Sequence, residues 1–181
     1  MIGLYWKSAG AVHTAKTVEL AVRKAKEYGI KSIVVASNSG KTAELFAGQV
    51  ENVVCVTHAN GFKEPGVNEL TQEQRALLAE NNINILTTSH VLSGAERGIS
   101  RKFGGIYPVE IIANTLKIFG QGVKVTVEIA VMALDAGLIP YGEDIIAIGG
   151  TGKGADTAVV IRPAHAASIL DTYIAEIICK P

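Results

Sequence analysis

Three stretches of this chain concentrate residue types that hold anions. Ser37-Asn38-Ser39-Gly40-Lys41-Thr42 brings together hydroxyls, a glycine that lets a ligand approach the backbone, and one cation. Placed between a strand and a helix, such a segment makes a phosphate cradle, because amide N–H groups and the helix dipole both favour negative charge. The same residues also suit a plain helix cap, and the two roles are compatible. The segment lacks the upstream glycine of a complete P-loop. Gly149-Gly150-Thr151-Gly152-Lys153-Gly154-Ala155-Asp156 is the second stretch; four glycines in its first six residues exceed what a tight turn needs. Open amides and Lys153 suit an anion nest there. The third, residues 92–105, holds Arg97, Arg101 and Lys102, a positive cluster in a loop. It reads either as a solvated charge run or as a clamp on phosphate or carboxylate.

His58 and His90 each follow a run that reads as a strand, so each is a candidate acid, base or hydrogen-bonding group. Neither has a carboxylate or nucleophile partner evident from spacing, whereas His13 and His165 lack even that placement. Glu64, Glu96 and Asp156 are the carboxylates of the same loops. No complete metal motif, nucleophile elbow or dinucleotide fingerprint occurs, and no metal is expected. Cys55 and Cys179 lie in apolar runs and read as buried free thiols.

The elements that must position these groups alternate. Residues 14–28 carry apolar side chains at helical spacing and end at Gly29. Residues 32–36 and 52–57 are apolar, β-branched runs of the kind buried on both faces of a parallel sheet. A helix is predicted over 42–49, and Thr71 with Gln74 has capping-box spacing for another that stops near Asn81. A third strand follows over 84–88, then an aperiodic segment, 89–105, interrupted by four glycines. Helices are predicted over 108–119 and 123–136, and strands over 144–148 and 157–161. Only eight residues join these last two, too few for a parallel crossover, so they form an antiparallel hairpin. The tail, 168–179, reads equally as helix or edge strand.

This is the pattern of a three-layer α/β/α domain, doubly wound around a mostly parallel five-stranded sheet, with the whole chain as one domain. Ligands bind such sheets where the strand order reverses, at the edge formed by the loops leaving the strand C-terminal ends. Loops 37–42, 57–65, 89–105 and 149–156 share that edge.

Composition narrows the partners. Seventeen basic side chains balance seventeen acidic ones, and 48% of the 181 residues are hydrophobic. A formal charge of zero argues against nucleic acid and acidic membrane surfaces as partners, but not against a small local anion site. No stretch approaches the roughly 20 apolar residues of a membrane span, and no signal-peptide pattern opens the chain, so a cytoplasmic location is expected.

Two of the stretches resemble a known family. Ile33-Val34-Val35-Ala36-Ser37-Asn38-Ser39-Gly40-Lys41-Thr42-Ala43 is similar to the first strand, loop and helix of the pyruvate kinase C-terminal domain. Residues 143–157, with the glycine-rich loop, resemble its late strand and final antiparallel strand. Residues 90–102 and 154–165 look like the stand-alone versions of this domain in archaea and some bacteria. The resemblance implies five strands in the order 3-2-1-4-5 with the last antiparallel, and no catalytic barrel or phosphoryl-transfer machinery. It also implies flavin mononucleotide (FMN) as the ligand, its phosphate in the loop of Ser37, Asn38, Ser39 and Thr42. Asn38 stands where the kinases often carry a basic residue, and a second phosphate pocket has no match, so sugar-bisphosphate regulation is not expected.

The leading expectation is a binding module for a small phosphorylated, nucleotide-like ligand. Ser37, Ser39, Gly40 and Thr42 hold its phosphate, residues 149–153 line the other wall, and Arg97 and Arg101 close over it. The alternatives are a flavin-dependent oxidoreductase or an enzyme acting on a sugar phosphate at the same edge, using His58 or His90. A third is a structural homo-oligomer, because these domains form interfaces in the kinase.

Overall fold

The structure, a computed structural model, describes residues 3–181. Seven strands form one sheet: β1 (Leu4–Tyr5), β2 (Ser32–Ala36), β3 (Asn52–Val56), β4 (Ile83–Leu86), β5 (Ile145–Gly149), β6 (Thr157–Arg162) and β7 (Tyr173–Lys180). Six α-helices accompany them: α1 (Thr14–Tyr28), α2 (Lys41–Glu44), α3 (Gln72–Glu80), α4 (Gly94–Phe103), α5 (Pro108–Lys117) and α6 (Gln121–Asp135). The strand order is β1-β7-β6-β5-β2-β3-β4. Its inner run β4-β3-β2-β5-β6 is the expected five-stranded order, parallel throughout except for the β5–β6 hairpin, where Ile145 faces Ile161 and Gly149 faces Thr157.

The sheet gains two strands beyond the expected five. The tail forms β7, antiparallel to β6 with two register shifts, and two residues near the start form β1 beside it. Among the described residues β1 is the edge strand and pairs only with Cys179 and Lys180 of β7, so the side chains of both are largely exposed or half-exposed and give little periodic signal.

Strand alternation divides the core in two. Ile33 and Val35 of β2, with Ile146 and Ile148 of β5, face α1 and α3 and pack with Leu20, Ala21, Phe46 and Leu78. Val34, Ile145 and Ala147 point the other way, against Val127, Ala130 and Leu134 of α6. Every residue of β5 is buried, which is why the strand reads as a continuous apolar run rather than an alternating one. Cys55 and Cys179 are free and buried, and burial pushes their thiols up to about 12 and about 11.

Two segments depart from expectation. The helix expected over 42–49 spans only Lys41–Glu44 before breaking into turns. The aperiodic 89–105 segment contains α4, ended by Gly104 at φ 75°. No side chain of α4 is buried: although Ala95, Ile99 and Phe103 recur every four residues, Gly94 and Gly98 interrupt the pattern, and the helix keeps this short stripe exposed. It is held by polar ties instead: Glu96 accepts the Val109 N–H at 3.0 Å, and Ser100 donates to Glu110 at 2.7 Å. Among the described residues no helix is long and apolar enough to cross a membrane.

Candidate functional site

The order reverses at β2, whose neighbours β3 and β5 lead to opposite halves of the sheet. Above this point lies a cavity of about 990 Å³, at the upper end of the range for small-molecule clefts, roughly 300–1,000 Å³. Its walls come from the loops after β2, β3, β4 and β5, the start of α4 and the first turns of α6.

The β2 loop contributes Ser37, Asn38, Ser39, Lys41 and Thr42. Ser37 fixes its shape: the Thr42 N–H donates to Ser37 Oγ at 3.1 Å, and the Ser37 N–H continues the β-ladder to the Val56 carbonyl at 2.9 Å. Gly40 does not line the cavity. It sits at φ 80° with its back to α3, where a β-carbon would stand 2.7 Å from Gln74 Cγ and 3.0 Å from Leu78 Cδ1. Its glycine identity therefore answers to conformation and packing. Because α2 is a single turn, its dipole adds little for an anion, and charge must come from side chains and other elements.

The glycine-rich loop contributes Gly150, Gly152, Lys153 and Gly154. Gly149, Thr151 and Asp156 lie behind it and give it form. Asp156 is fully buried, and its carboxylate accepts three hydrogen bonds: Gly10 N–H at 2.9 Å, Thr151 N–H at 3.1 Å and Thr157 hydroxyl at 2.8 Å. Trp6 Nε1 donates to the Asp156 carbonyl at 2.7 Å, and the Ala155 N–H donates to Thr14 Oγ1 at 3.0 Å. The loop is thus clamped to the N-terminal segment.

α6 begins within this wall. Gly120, at φ 119°, supplies no side-chain cap, and the first N–H groups of a helix have no intrahelical partner. The helix end sits very close to the hairpin: a β-carbon on Gly122 would fall 2.0 Å from Thr157 Oγ1, and one on Gly149 2.5 Å from the Gly122 carbonyl. Gln121 and Lys124 face the cavity. Lys124 Nζ lies 2.5 Å from Glu128 Oε2, a buried pair whose other carboxylate oxygen accepts the Leu92 N–H at 3.0 Å.

The β3 loop supplies a flatter wall. His58 stacks on Phe62 with ring centroids 3.8 Å apart, and His90 lies 5.7 Å from His58. His58 Nδ1 meets Glu69 Oε2 at 2.5 Å, and Lys63 pairs with the other Glu69 oxygen. Burial pushes the Glu69 carboxyl up, but the hydrogen bonds from Lys63 and His58 outweigh it and hold the group below its ordinary value. His90 Nε2 donates to the Thr57 carbonyl at 3.3 Å.

Of the residues singled out in the sequence, Ser37, Asn38, Ser39, Lys41, Thr42, His58, His90, Arg97, Gly150, Gly152 and Lys153 meet around one cavity. Gly40, Arg101, Gly149, Thr151 and Asp156 do not line it. Arg101 lies one helical turn beyond Arg97 on α4 and is exposed. Sequence reasoning missed Phe62, Lys63, Glu69, Lys124 and Glu128. Of these, only Lys124 and Glu128 carried a signal, a lysine and a glutamate four apart on an otherwise apolar helix. Glu64 is exposed, and the carboxylate that reaches His58 is Glu69 instead.

Five cations line the cavity against two carboxylates. Lys63 and Lys124 are paired with those carboxylates, while Lys41, Arg97 and Lys153 make no ion pair among the described residues. The site therefore favours an anion, and its aromatic side offers a flat apolar surface. Among the described residues no three His, Cys, Asp or Glu side chains converge as a metal site.

A switch-point cavity in a doubly wound sheet, lined by a serine-rich loop and a glycine-rich hairpin, defines the class as a doubly wound α/β domain. The model of the pyruvate kinase alpha/beta domain matches residues 15–161, and the chain belongs to that family. Among solved structures, a pyruvate kinase from Cryptosporidium parvum aligns at 16% identity and TM-score 0.42, covering 86% of this chain and 24% of that one. The Cryptosporidium parvum pyruvate kinase in complex with ADP aligns at 15% identity and TM-score 0.40, covering 97% and 25%. The chain spans about a quarter of the length of these kinases.

Proposed function

We propose that this chain binds a small phosphorylated, nucleotide-like molecule, with FMN the leading candidate. One observation carries the reading: a single cavity joins an anion-attracting end to an aromatic wall. Ser39, Thr42, Lys41, Arg97 and Lys153 provide the first, and Phe62 stacked on His58 provides the second. A phosphate monoester attached to a planar ring system matches both, and the cavity volume is adequate for a molecule of that size. Ser39 and Thr42 hydroxyls and the glycine-rich amides would hold the phosphate, while Phe62 and the histidines would flank the ring. When bound, FMN supplies electron-transfer chemistry; the residues named here bind, orient and shield it.

Purification without added cofactor followed by absorbance spectroscopy and FMN titration tests the reading. Flavin that copurifies, or binds stoichiometrically on titration, supports it; no flavin by either route sinks FMN. Thr42→Glu places a carboxylate against the phosphate position and should abolish binding by like-charge repulsion. Unchanged affinity would remove the β2 loop from the site. The His58–Glu69 pair favours a second reading, in which the same edge is an enzyme's: a flavin-dependent oxidoreductase or an enzyme of sugar phosphates. Turnover with a nicotinamide cofactor or a metabolite separates it from inert binding.

A further inference from the structure

The hydrogen bonds around His58 determine which of its nitrogens carries the proton. The His58 backbone N–H can only donate, and it meets Asn38 Oδ1 at 3.1 Å. That contact orients the Asn38 amide, so the group facing His58 Nε2 at 3.1 Å is the Nδ2 donor. Nε2 must then accept, which leaves the ring proton on Nδ1, directed at the Glu69 carboxylate 2.5 Å away. Stacking on Phe62 holds the ring plane, and Lys63 holds the far oxygen of Glu69. The result is an imidazole backed by a carboxylate, its Nε2 lone pair met by the Asn38 amide of the β2 loop, with both side chains lining the cavity.

We propose that His58 and Glu69 form a proton-transfer centre, in which His58 Nε2 is the base toward an O–H or N–H of the bound phosphorylated compound. The proposal takes its ligand class from the anion site described above. The ligand's donor displaces Asn38 Nδ2 from Nε2. In the transfer step the ligand's O–H or N–H bond breaks and its electron pair stays on the oxygen or nitrogen. The proton bonds to Nε2, and the imidazolium forms beside the Glu69 carboxylate, which stabilises it. The reverse step returns the proton, so no further reactant is consumed. Lys41, Arg97 and Lys153 share the cavity and offset the negative charge left on the ligand; Glu128 is already neutralised by Lys124. Glu69 is a positioning residue, acting through the ring.

The full chain, labelled at both ring nitrogens of its four histidines, provides the test. Long-range proton–nitrogen NMR reads the tautomer, and diethyl pyrocarbonate modification mapped by mass spectrometry reads Nε2 reactivity at mildly alkaline pH. Neutral His58 should be the Nδ1–H form in the wild type and in Glu69→Gln, whose amide oxygen still accepts. Glu69→Leu should lose that preference. Carbethoxylation of His58 should slow severalfold in Glu69→Gln, through loss of the carboxylate's charge, and accelerate severalfold in Asn38→Ala, which uncovers Nε2. Bound FMN should shift the Nε2 resonance and protect His58. An Nε2–H tautomer in the wild type, reactivity indifferent to Glu69→Gln, or bound FMN that leaves Nε2 unperturbed would each overturn the proposal. FMN binding is read separately, from the backbone amides of residues 37–42. If those do not respond, the phosphate reading fails, while the ligand-free tautomer and Glu69 dependence still judge the base.

Discussion

Replacing Gly122 by alanine sets two physical effects against each other, and the geometry decides the sign. Helix propensity alone makes Gly122→Ala stabilising by at most about 1 kcal/mol. Against this, the new β-carbon would stand 2.0 Å from Thr157 Oγ1 and 2.5 Å from Thr157 Cβ, where ordinary contact begins near 3.4 Å. Rotating the threonine relieves the hydroxyl but leaves its Cβ in place, and rotation breaks the 2.8 Å hydrogen bond to Asp156. The first turn of α6 and the start of β6 must therefore separate by almost an ångström. Overpacking of this kind costs about 1–3 kcal/mol, and the lost hydrogen bond about 1 more. After the propensity gain the net destabilisation is about 2 kcal/mol. For a chain of this length that lowers Tm by roughly 4–8 °C. Calorimetry or thermal circular dichroism measures it, and Thr157→Gly in the same background should recover part of the loss, because the two sites are coupled. A Tm unchanged or raised in Gly122→Ala would refute the close approach of α6 to the hairpin, and with it the geometry of this cavity wall.

Two further outcomes follow from buried charges. Asp156→Ala strips the partners from two backbone N–H groups, Gly10 and Thr151, and should cost about 2–4 kcal/mol. Amide hydrogen exchange at Thr151 and Gly10 should accelerate together; protection retained at both would show that another acceptor holds the loop. Lys24 is buried on α1, 3.1 Å from Glu176 of β7 and over the Tyr28 ring; burial lowers its pKa, but the ion pair with Glu176 and the neighbouring Tyr28 and Glu27 together raise it above the ordinary value. A raised lysine value means that this stabilisation is complete below the unfolded value, about 10.4, and is lost as pH rises through the folded one. Wild type should therefore lose Tm above pH ~10 faster than Lys24→Met, and parallel pH profiles would contradict it.

The parts of the fold that could be read in the sequence are those where burial on both faces leaves an unbroken apolar run. β2, β3 and β5 are buried along most of their length, and their alternation with helices is enough to read a doubly wound, mostly parallel sheet, whereas the order of its inner five strands came from the family resemblance. The hairpin was legible from loop length alone. α4, β1 and β7 were not, because they bury little or sit at an edge, where periodicity has no core to answer to. In the site, glycine and hydroxyl clusters announced two walls. The third wall was hidden because Phe62, Lys63 and Glu69 belong to a loop whose shape no local pattern dictates. Glu69 reaches His58 across eleven residues, and Asn38 reaches it across twenty. Gly40 and Asp156 show the converse: their residue types caught attention, yet they shape the walls from behind.

The clamp around Asp156 also has a consequence for how this molecule assembles. Trp6, Gly10 and Thr14 grip residues 155 and 156 across sequence separations of 141 to 150 residues, among the most costly contacts in the chain to close. The β2 loop finds its hydrogen-bond partners within twenty residues, whereas the glycine-rich loop, beyond its local bonds, is fixed by contacts that close only when distant parts of the chain meet. One wall of the cavity is therefore held by local contacts and the other by long-range ones. A ligand that requires both recognises only the finished molecule, and its binding energy adds directly to the stability of that state.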